Sequence, residues 1–264
     1  MSPRRFVPSV LVAAALAVSV AVPASAAVQP GAQTFTEGAQ CTSNFVFADG
    51  AGVKYLGQAA HCAGTGAATD TNGCDAGSLP IGTAVEIDGA TRPGTLAYSS
   101  WLTMQGAGET DADACQYNDF ALVRLDPADA GSANPSIPSW GGPTGLRATG
   151  TGTGEKVLSY GNSSLRAGVT TLSPKEGASL GADAGGWNHP VYTVTPGVPG
   201  DSGSAFIDGQ GRAFGTLSTL ALAPLPASNG VSDLNLALTY MRSHGGPDAQ
   251  LVPGTAPFRG PLLP

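Results

Sequence analysis

Three short stretches of this sequence carry side chains that could do covalent chemistry. In Gly200-Asp201-Ser202-Gly203 a serine stands between glycines, just ahead of an apolar run from Ser204 to Ile207. Glycines permit a tight bend that exposes the hydroxyl and aims the amides of Gly200 and Ser202 at one point, as an oxyanion hole requires. Ala59-Ala60-His61-Cys62 ends an apolar run on a histidine, the side chain whose protonation changes near neutral pH. Asn118-Asp119-Phe120-Ala121-Leu122-Val123 opens a hydrophobic run with a carboxylate, which can be buried only if hydrogen bonds reach it. Singly, these are a glycine turn, a packed histidine and a turn aspartate. A nucleophile, a general base and an orienting carboxylate need all three together.

The other histidines act as controls. His189 falls in Gly185-Gly186-Trp187-Asn188-His189-Pro190, which reads as a turn-like loop, and His244 ends a predicted helix, where a cation suits the dipole. Four cysteines remain beyond the amino-terminal segment: Cys41, Cys62, Cys74 and Cys115. Their even number suits two disulfides, and of three possible pairings the most local joins Cys41 to Cys62 and Cys74 to Cys115. No C-x-x-C pair occurs, so zinc is not expected. Asp70, Asp75, Asp111 and Asp113 lie in Gly-rich loops without a calcium-loop spacing. No metal and no cofactor is expected.

The elements that must position these groups are short strands. Gly 38 and Pro 21 against Lys+Arg 12 and Asp+Glu 19 exclude a helical bundle, while 42% apolar residues exclude wholesale disorder. Strands are predicted over Asn44 to Ala48, Lys54 to Gln58, Thr83 to Ile87, Gly94 to Ser99, Phe120 to Leu125, Val157 to Tyr160, Val169 to Leu172, Val191 to Thr195, Ser204 to Ile207 and Arg212 to Ser218. A helix capped by Ser232 runs from Asp233 to about Ser243, with Leu234, Leu238 and Met241 on one face. Asp126 to Gly154, dense in Pro, Gly, Ser and Thr, divides the strands into two groups and reads as a connector between two small β-barrels. The end from Gly246 to Pro264 reads as an extended or loose tail.

The amino-terminal segment reads as an address. Arg4 and Arg5 precede an uncharged run, and Ala24-Ser25-Ala26 offers the small residues a signal peptidase accepts, so cleavage is expected after Ala26. The continuous apolar core from Val10 to Val22 is shorter than the roughly 20 residues a membrane span needs. The chain is therefore expected to be secreted, with no membrane attachment after cleavage. Net charge is −7 for the whole sequence and more negative once Arg4 and Arg5 are removed, which repels phosphate backbones and excludes nucleic acid as a partner.

The chain order His61, Asp119, Ser202, in A-A-H-C, N-D-F-A-L and G-D-S-G contexts, resembles the chymotrypsin-like (trypsin-fold) serine proteases. The resemblance spans Cys41 to about Ser243. It implies an all-β fold of two six-stranded antiparallel β-barrels with a short C-terminal helix: residues 27–140 carry the histidine and aspartate, 141–231 the nucleophile, and 232–264 the helix and Pro-rich tail. It also implies that Ser202 is the nucleophile, His61 the base, Asp119 the orienting carboxylate, and the Gly200 and Ser202 amides the oxyanion hole. A Cys41–Cys62 bridge would flank the histidine. Ser159-Tyr160-Gly161 resembles the stretch that begins the family's second barrel, and Ser218 resembles the serine beside the aspartate in the strand that pairs with substrate.

Departures from the pattern bear on specificity. Pro196 stands where trypsins carry the acid that binds substrate Lys or Arg, and Leu220 about where many relatives have glycine, so a narrowed, non-basic pocket is expected. Members of that family free an Ile-Val-Gly-Gly-like amino terminus to pair with the aspartate before the nucleophile, or use an interior arginine; Ala27-Val28-Gln29-Pro30 fits neither pattern, and the cation that pairs with Asp201 is open. The expected activity is that of a secreted, monomeric serine endopeptidase acting on protein or peptide substrates. The alternative is a trypsin-fold binding protein with little or no proteolysis. A carbohydrate-binding β-protein would use Trp101, Trp140 and Trp187 as a platform, although their wide spacing suits packing equally well.

Overall fold

The computed structural model describes residues 28–67, 70–221 and 226–261; the segment expected to be a signal peptide lies outside them. The first half supplies β1 (Gln33–Thr36), β2 (Ala39–Thr42), β3 (Val46–Ala48), β4 (Lys54–Gln58), β5 (Ala84–Ile87), β6 (Gly94–Ser99) and β7 (Ala121–Arg124). The second supplies β8 (Gly145–Leu146), β9 (Lys156–Tyr160), β10 (Pro174–Ser179), β11 (Asn188–Thr193), β12 (Ala205–Asp208), β13 (Arg212–Ala221) and β14 (Ser228–Asp233), and the chain ends on β15 (Gln250–Leu251). Helices are α1 (Ser100–Ala107), α2 (Ala112–Tyr117), α3 (Pro127–Ala130) and α4 (Leu234–Ser243).

The strands form two sheets. One, in the order β15-β3-β4-β7-β6-β5-β1-β2, curls into a half-barrel. The other, in the order β12-β9-β10-β11-β14-β13-β8, closes through a β12–β13 pairing into a six-stranded antiparallel barrel, with β8 added in parallel to β13. Where one face meets a core and the other meets water the strands alternate, as in β5, whose Val85 and Ile87 are buried between exposed neighbours. Phe45, Phe47, Phe120 and Leu122 of the first sheet pack with Leu158 and Ile207 of the second and with Leu234, Leu238 and Met241 of α4, so one apolar cluster locks both sheets to the helix. Burying side chains of this size stabilises by roughly 1.5–3 kcal/mol each.

Several expectations are corrected. Residues 169–172 are not a strand: Thr170–Leu172 forms a 3-10 turn, and Val169 and Leu172 remain exposed because no neighbouring strand covers them. Strands β1, β2, β10 and β14 were not expected, since sequences such as PKEGAS and SNGVSD lack an apolar alternation. Three of them form because strands pair with them on both sides, β1 with β2 and β5, β10 with β9 and β11, and β14 with β11 and β13, while β2 is an edge strand held by β1 alone. The cap of α4 is Asp233, whose carboxylate accepts from Leu236 N at 2.7 Å; Ser232 belongs to β14. His189 is a fully buried β11 residue rather than a loop residue, with Nε2 2.8 Å from Asp233 Oδ2 and Nδ1 3.0 Å from Thr151 Oγ1. The tail is docked, with β15 paired to β3 and Gly254 N donating to Pro143 O at 2.9 Å.

Trp101 and Trp140 are buried, and the Trp140 indole donates to Ser159 O at 2.7 Å. Trp187 packs edge-on against Tyr240. The three therefore serve packing and form no common aromatic platform.

Candidate active site

Strand pairing brings His61 and Asp119 together. β4 and β7 are antiparallel neighbours with Gln58 opposite Ala121, so the residues just past the end of one and just before the start of the other meet at one end of the sheet. His61 lies in the 3-10 turn Ala60–Ala63. The Cys41–Cys62 disulfide ties that turn to β2, and the Cys74–Cys115 disulfide holds α2, which delivers the chain to Asp119; both expected pairings are formed.

The Asp119 carboxylate is buried and fully partnered. Oδ2 lies 2.6 Å from His61 Nδ1 and accepts from Ser218 Oγ at 2.6 Å, while Oδ1 accepts from the His61 main-chain N–H at 2.9 Å. Ser218 reaches it from the second barrel at a register shift between Leu217 and Thr219, where β13 is irregular against β14. Burial disfavours the Asp119 charge, but the adjacent imidazole and these hydrogen bonds outweigh it and hold the carboxyl below its ordinary value. Burial likewise opposes a charge on His61, and the Asp119 carboxylate wins, raising the imidazole above its ordinary value. Because Nδ1 faces the carboxylate, the proton resides there and Nε2 is left as the acceptor.

Ser202 stands in the same cleft as His61, a cavity of about 660 Å³ lined also by Trp101, Tyr117, Pro199, Gly200, Ser218 and Leu220. No hydrogen bond joins its hydroxyl to the imidazole. Pro199 O accepts from Ser163 Oγ at 2.5 Å and Asp201 O accepts from Ser204 N at 3.0 Å. In a trans peptide the N–H points opposite the carbonyl, so the Gly200 and Ser202 amides are turned away from those buried partners. Gly200 adopts φ +91°, a conformation that strains any residue with a Cβ, so glycine suits the position. Thr42 and Gln40 fasten the turn further: Thr42 N donates to Ser202 O at 2.8 Å, and Thr42 Oγ1 and Gln40 Nε2 donate to Gly200 O at 2.7 and 2.9 Å.

Asp201 finds two cations. Arg166 engages both carboxylate oxygens, and Lys175 Nζ lies 3.0 Å from Oδ2. Burial opposes the Asp201 charge, yet Arg166 and Lys175 keep its carboxyl below the ordinary value; for Lys175, loss of water is the larger effect and lowers its ammonium. An interior arginine is one of the two partners the family resemblance offers for this aspartate, but the sequence does not single out Arg166, which lies in the exposed-looking stretch Asn162 to Gly168, nor Lys175, which lies in an unexpected strand.

A scan against protein-family models and a search of curated proteins both find no match. Solved structures do match. Thermobifida fusca protease A is 18% identical with a TM-score of 0.52, over 87% of this chain and 100% of that one. A Cellulomonas bogoriensis chymotrypsin is 17% identical with a TM-score of 0.50, over 85% and 98%. The fold is chymotrypsin-like.

Within the chymotrypsin-like fold the expected specificity residues take different places. Ser218 and Leu220 line the cleft, and Leu220 is 51% exposed at its rim. Pro196 does not line it, and its carbonyl instead accepts from Lys175 Nζ at 3.2 Å. Cys41, His61 and Cys62 lie close enough to suggest a metal cluster, but both thiols are consumed in the disulfide, so the set lacks the free thiolates an ion would need. Among the described residues no helix is long and apolar enough to cross a membrane.

Proposed function

We propose that the protein is a secreted serine endopeptidase that hydrolyses peptide bonds through an acyl-enzyme on Ser202, with a non-basic primary specificity. The observation that carries this reading is the 2.6 Å contact between His61 Nδ1 and Asp119 Oδ2 at the wall of the cleft that holds Ser202. A binding protein has no physical need of an imidazole whose tautomer is held by a buried carboxylate beside a serine hydroxyl and two outward amides.

Ser202 Oγ attacks the substrate carbonyl carbon as its proton passes to His61 Nε2, and the carbonyl oxygen becomes an oxyanion held by the Gly200 and Ser202 N–H groups. Asp119 stabilises the imidazolium without taking its proton. Collapse expels the leaving amine, which receives that proton from Nε2. Water then repeats the cycle and releases the acid. The pairing of Asp201 with Arg166 and Lys175 lets the Ser202 turn form without a freed amino terminus. Two disulfides and the Arg4–Ala26 segment support secretion.

The test is reaction with a fluorophosphonate probe and peptide mapping. Labelling at Ser202 that disappears in His61→Ala is the expected result, and a folded but unlabelled protein would overturn the reading.

A further inference from the structure

A substrate whose carbonyl oxygen sits at the Gly200 and Ser202 amides must put its side chain between two walls. One is the segment 196–200 that leads into the nucleophile, and the other is the end of β13 from Ser218 to Leu220; Pro199, Gly200, Ser218, Thr219 and Leu220 form this side of the cleft. The depth of the space between the walls decides which side chains enter.

That space is occupied from behind. Asn229 lies on β14 opposite Leu220 and is 1% exposed. Its Oδ1 accepts from Gly197 N at 2.8 Å, and its Nδ2 donates to Gly197 O at 3.3 Å and to Thr219 O at 3.2 Å. One carboxamide thus bridges both walls, and both of its amide hydrogens are used. The partners also fix which end is nitrogen, since an N–H requires the oxygen and two carbonyls require the NH2. No slack remains on the first wall, where a Cβ on Gly197 would meet Leu217 Cδ2 at 2.8 Å and Asn229 Nδ2 at 2.9 Å. Neither Gly197 nor Asn229 lines the cleft, so the open space ends in front of them.

We propose that Asn229 floors the side-chain pocket beside Ser202 and restricts cleavage to bonds that follow Gly, Ala or Ser. The inference rests on the protease reading and adds the residue that sets its substrate class. A larger side chain would have to displace the carboxamide, leaving a buried N–H and two buried carbonyls without partners. An acidic side chain fares no better, because the buried cations behind this segment are already engaged: Arg166 holds Asp201, and Lys175 serves Asp201 and the carbonyls of Thr195 and Pro196. Leu220, half-exposed, forms the rim rather than the floor.

Two measurements test this. In cleavage-site profiling of a denatured peptide mixture, the wild type should cut after Gly, Ala and Ser. In Asn229→Gly the ratio of kcat/KM for phenylalanine over alanine substrates should rise by at least about 30-fold, within the range that one pocket residue commands. Wild-type cleavage after Phe, Leu or Lys as readily as after Ala would overturn the proposal, as would an unchanged ratio in the variant. The second measurement needs no catalysis. In a Ser202→Ala background, saturation-transfer NMR with indole should detect binding when Asn229→Gly is added and none without it. Equal indole signals in the two proteins would overturn the pocket assignment even if the fluorophosphonate test had already failed. Asn229→Ala, which keeps a side chain in β14, serves both measurements if glycine unfolds the strand.

Discussion

Lys175 Nζ lies 3.0 Å from Asp201 Oδ2, and neither side chain reaches solvent. With Arg166 on the same carboxylate, two cations from the second barrel hold the residue that precedes the candidate nucleophile. Ion pairs this deep are a weak source of net stability, because desolvation cancels much of the attraction. Their removal on one side is another matter.

Asp201→Asn should therefore destabilise the protein by about 3–5 kcal/mol, since it strands two buried cations without a counter-charge. Equilibrium unfolding in urea measures this, and a loss under about 1 kcal/mol would contradict the assignment of Asp201 as their shared partner.

Asp119→Asn should leave the fold intact and lower kcat by about four orders of magnitude, because an amide in place of the carboxylate favours the wrong histidine tautomer. Circular dichroism checks folding and peptide hydrolysis checks rate. A drop of less than about tenfold would remove Asp119 from the role, given what orienting carboxylates contribute.

The pH dependence follows from His61. Burial opposes its charge but Asp119 outweighs it, so the folded imidazole titrates above its ordinary 6.5. General-base action needs the neutral ring, so kcat/KM should rise with pH through a midpoint above 6.5. The stability that protonated His61 contributes is fully present below the unfolded histidine value, and it is lost as pH rises through the folded one. A pH–rate midpoint at or below 6.5 would show that the Asp119 contact is absent in solution.

Intact mass should show four hydrogens fewer than the reduced chain, one pair for each bridge. Closing loops of 21 and 41 residues contributes about 3 and about 4 kcal/mol in the loop-entropy account. Cys41→Ser with Cys62→Ser should depress activity beyond its effect on stability, because that bridge holds the His61 turn. Denaturation and turnover of this double variant and of Cys74→Ser with Cys115→Ser, compared side by side, check this, and equal activity losses at equal stability would count against it.

What the sequence by itself determined was local. The glycines around Ser202, the apolar runs beside His61 and Asp119, the cysteine pairing and the strands whose side chains alternate were legible because each depends on neighbours in the chain. Tertiary structure decided what depends on distant partners. β10 and β14 are strands because other strands sandwich them, His189 is buried because β11 is a strand of the closed barrel and its ring packs edge-on against Phe214, and Lys175 on β10 meets Asp201 from a segment remote in sequence. The carboxamide of Asn229 closes a space that exists only once β13, β14 and the segment 196–200 have come together. A buried polar group takes its meaning from the partners that satisfy it, and here they are supplied by segments remote in sequence.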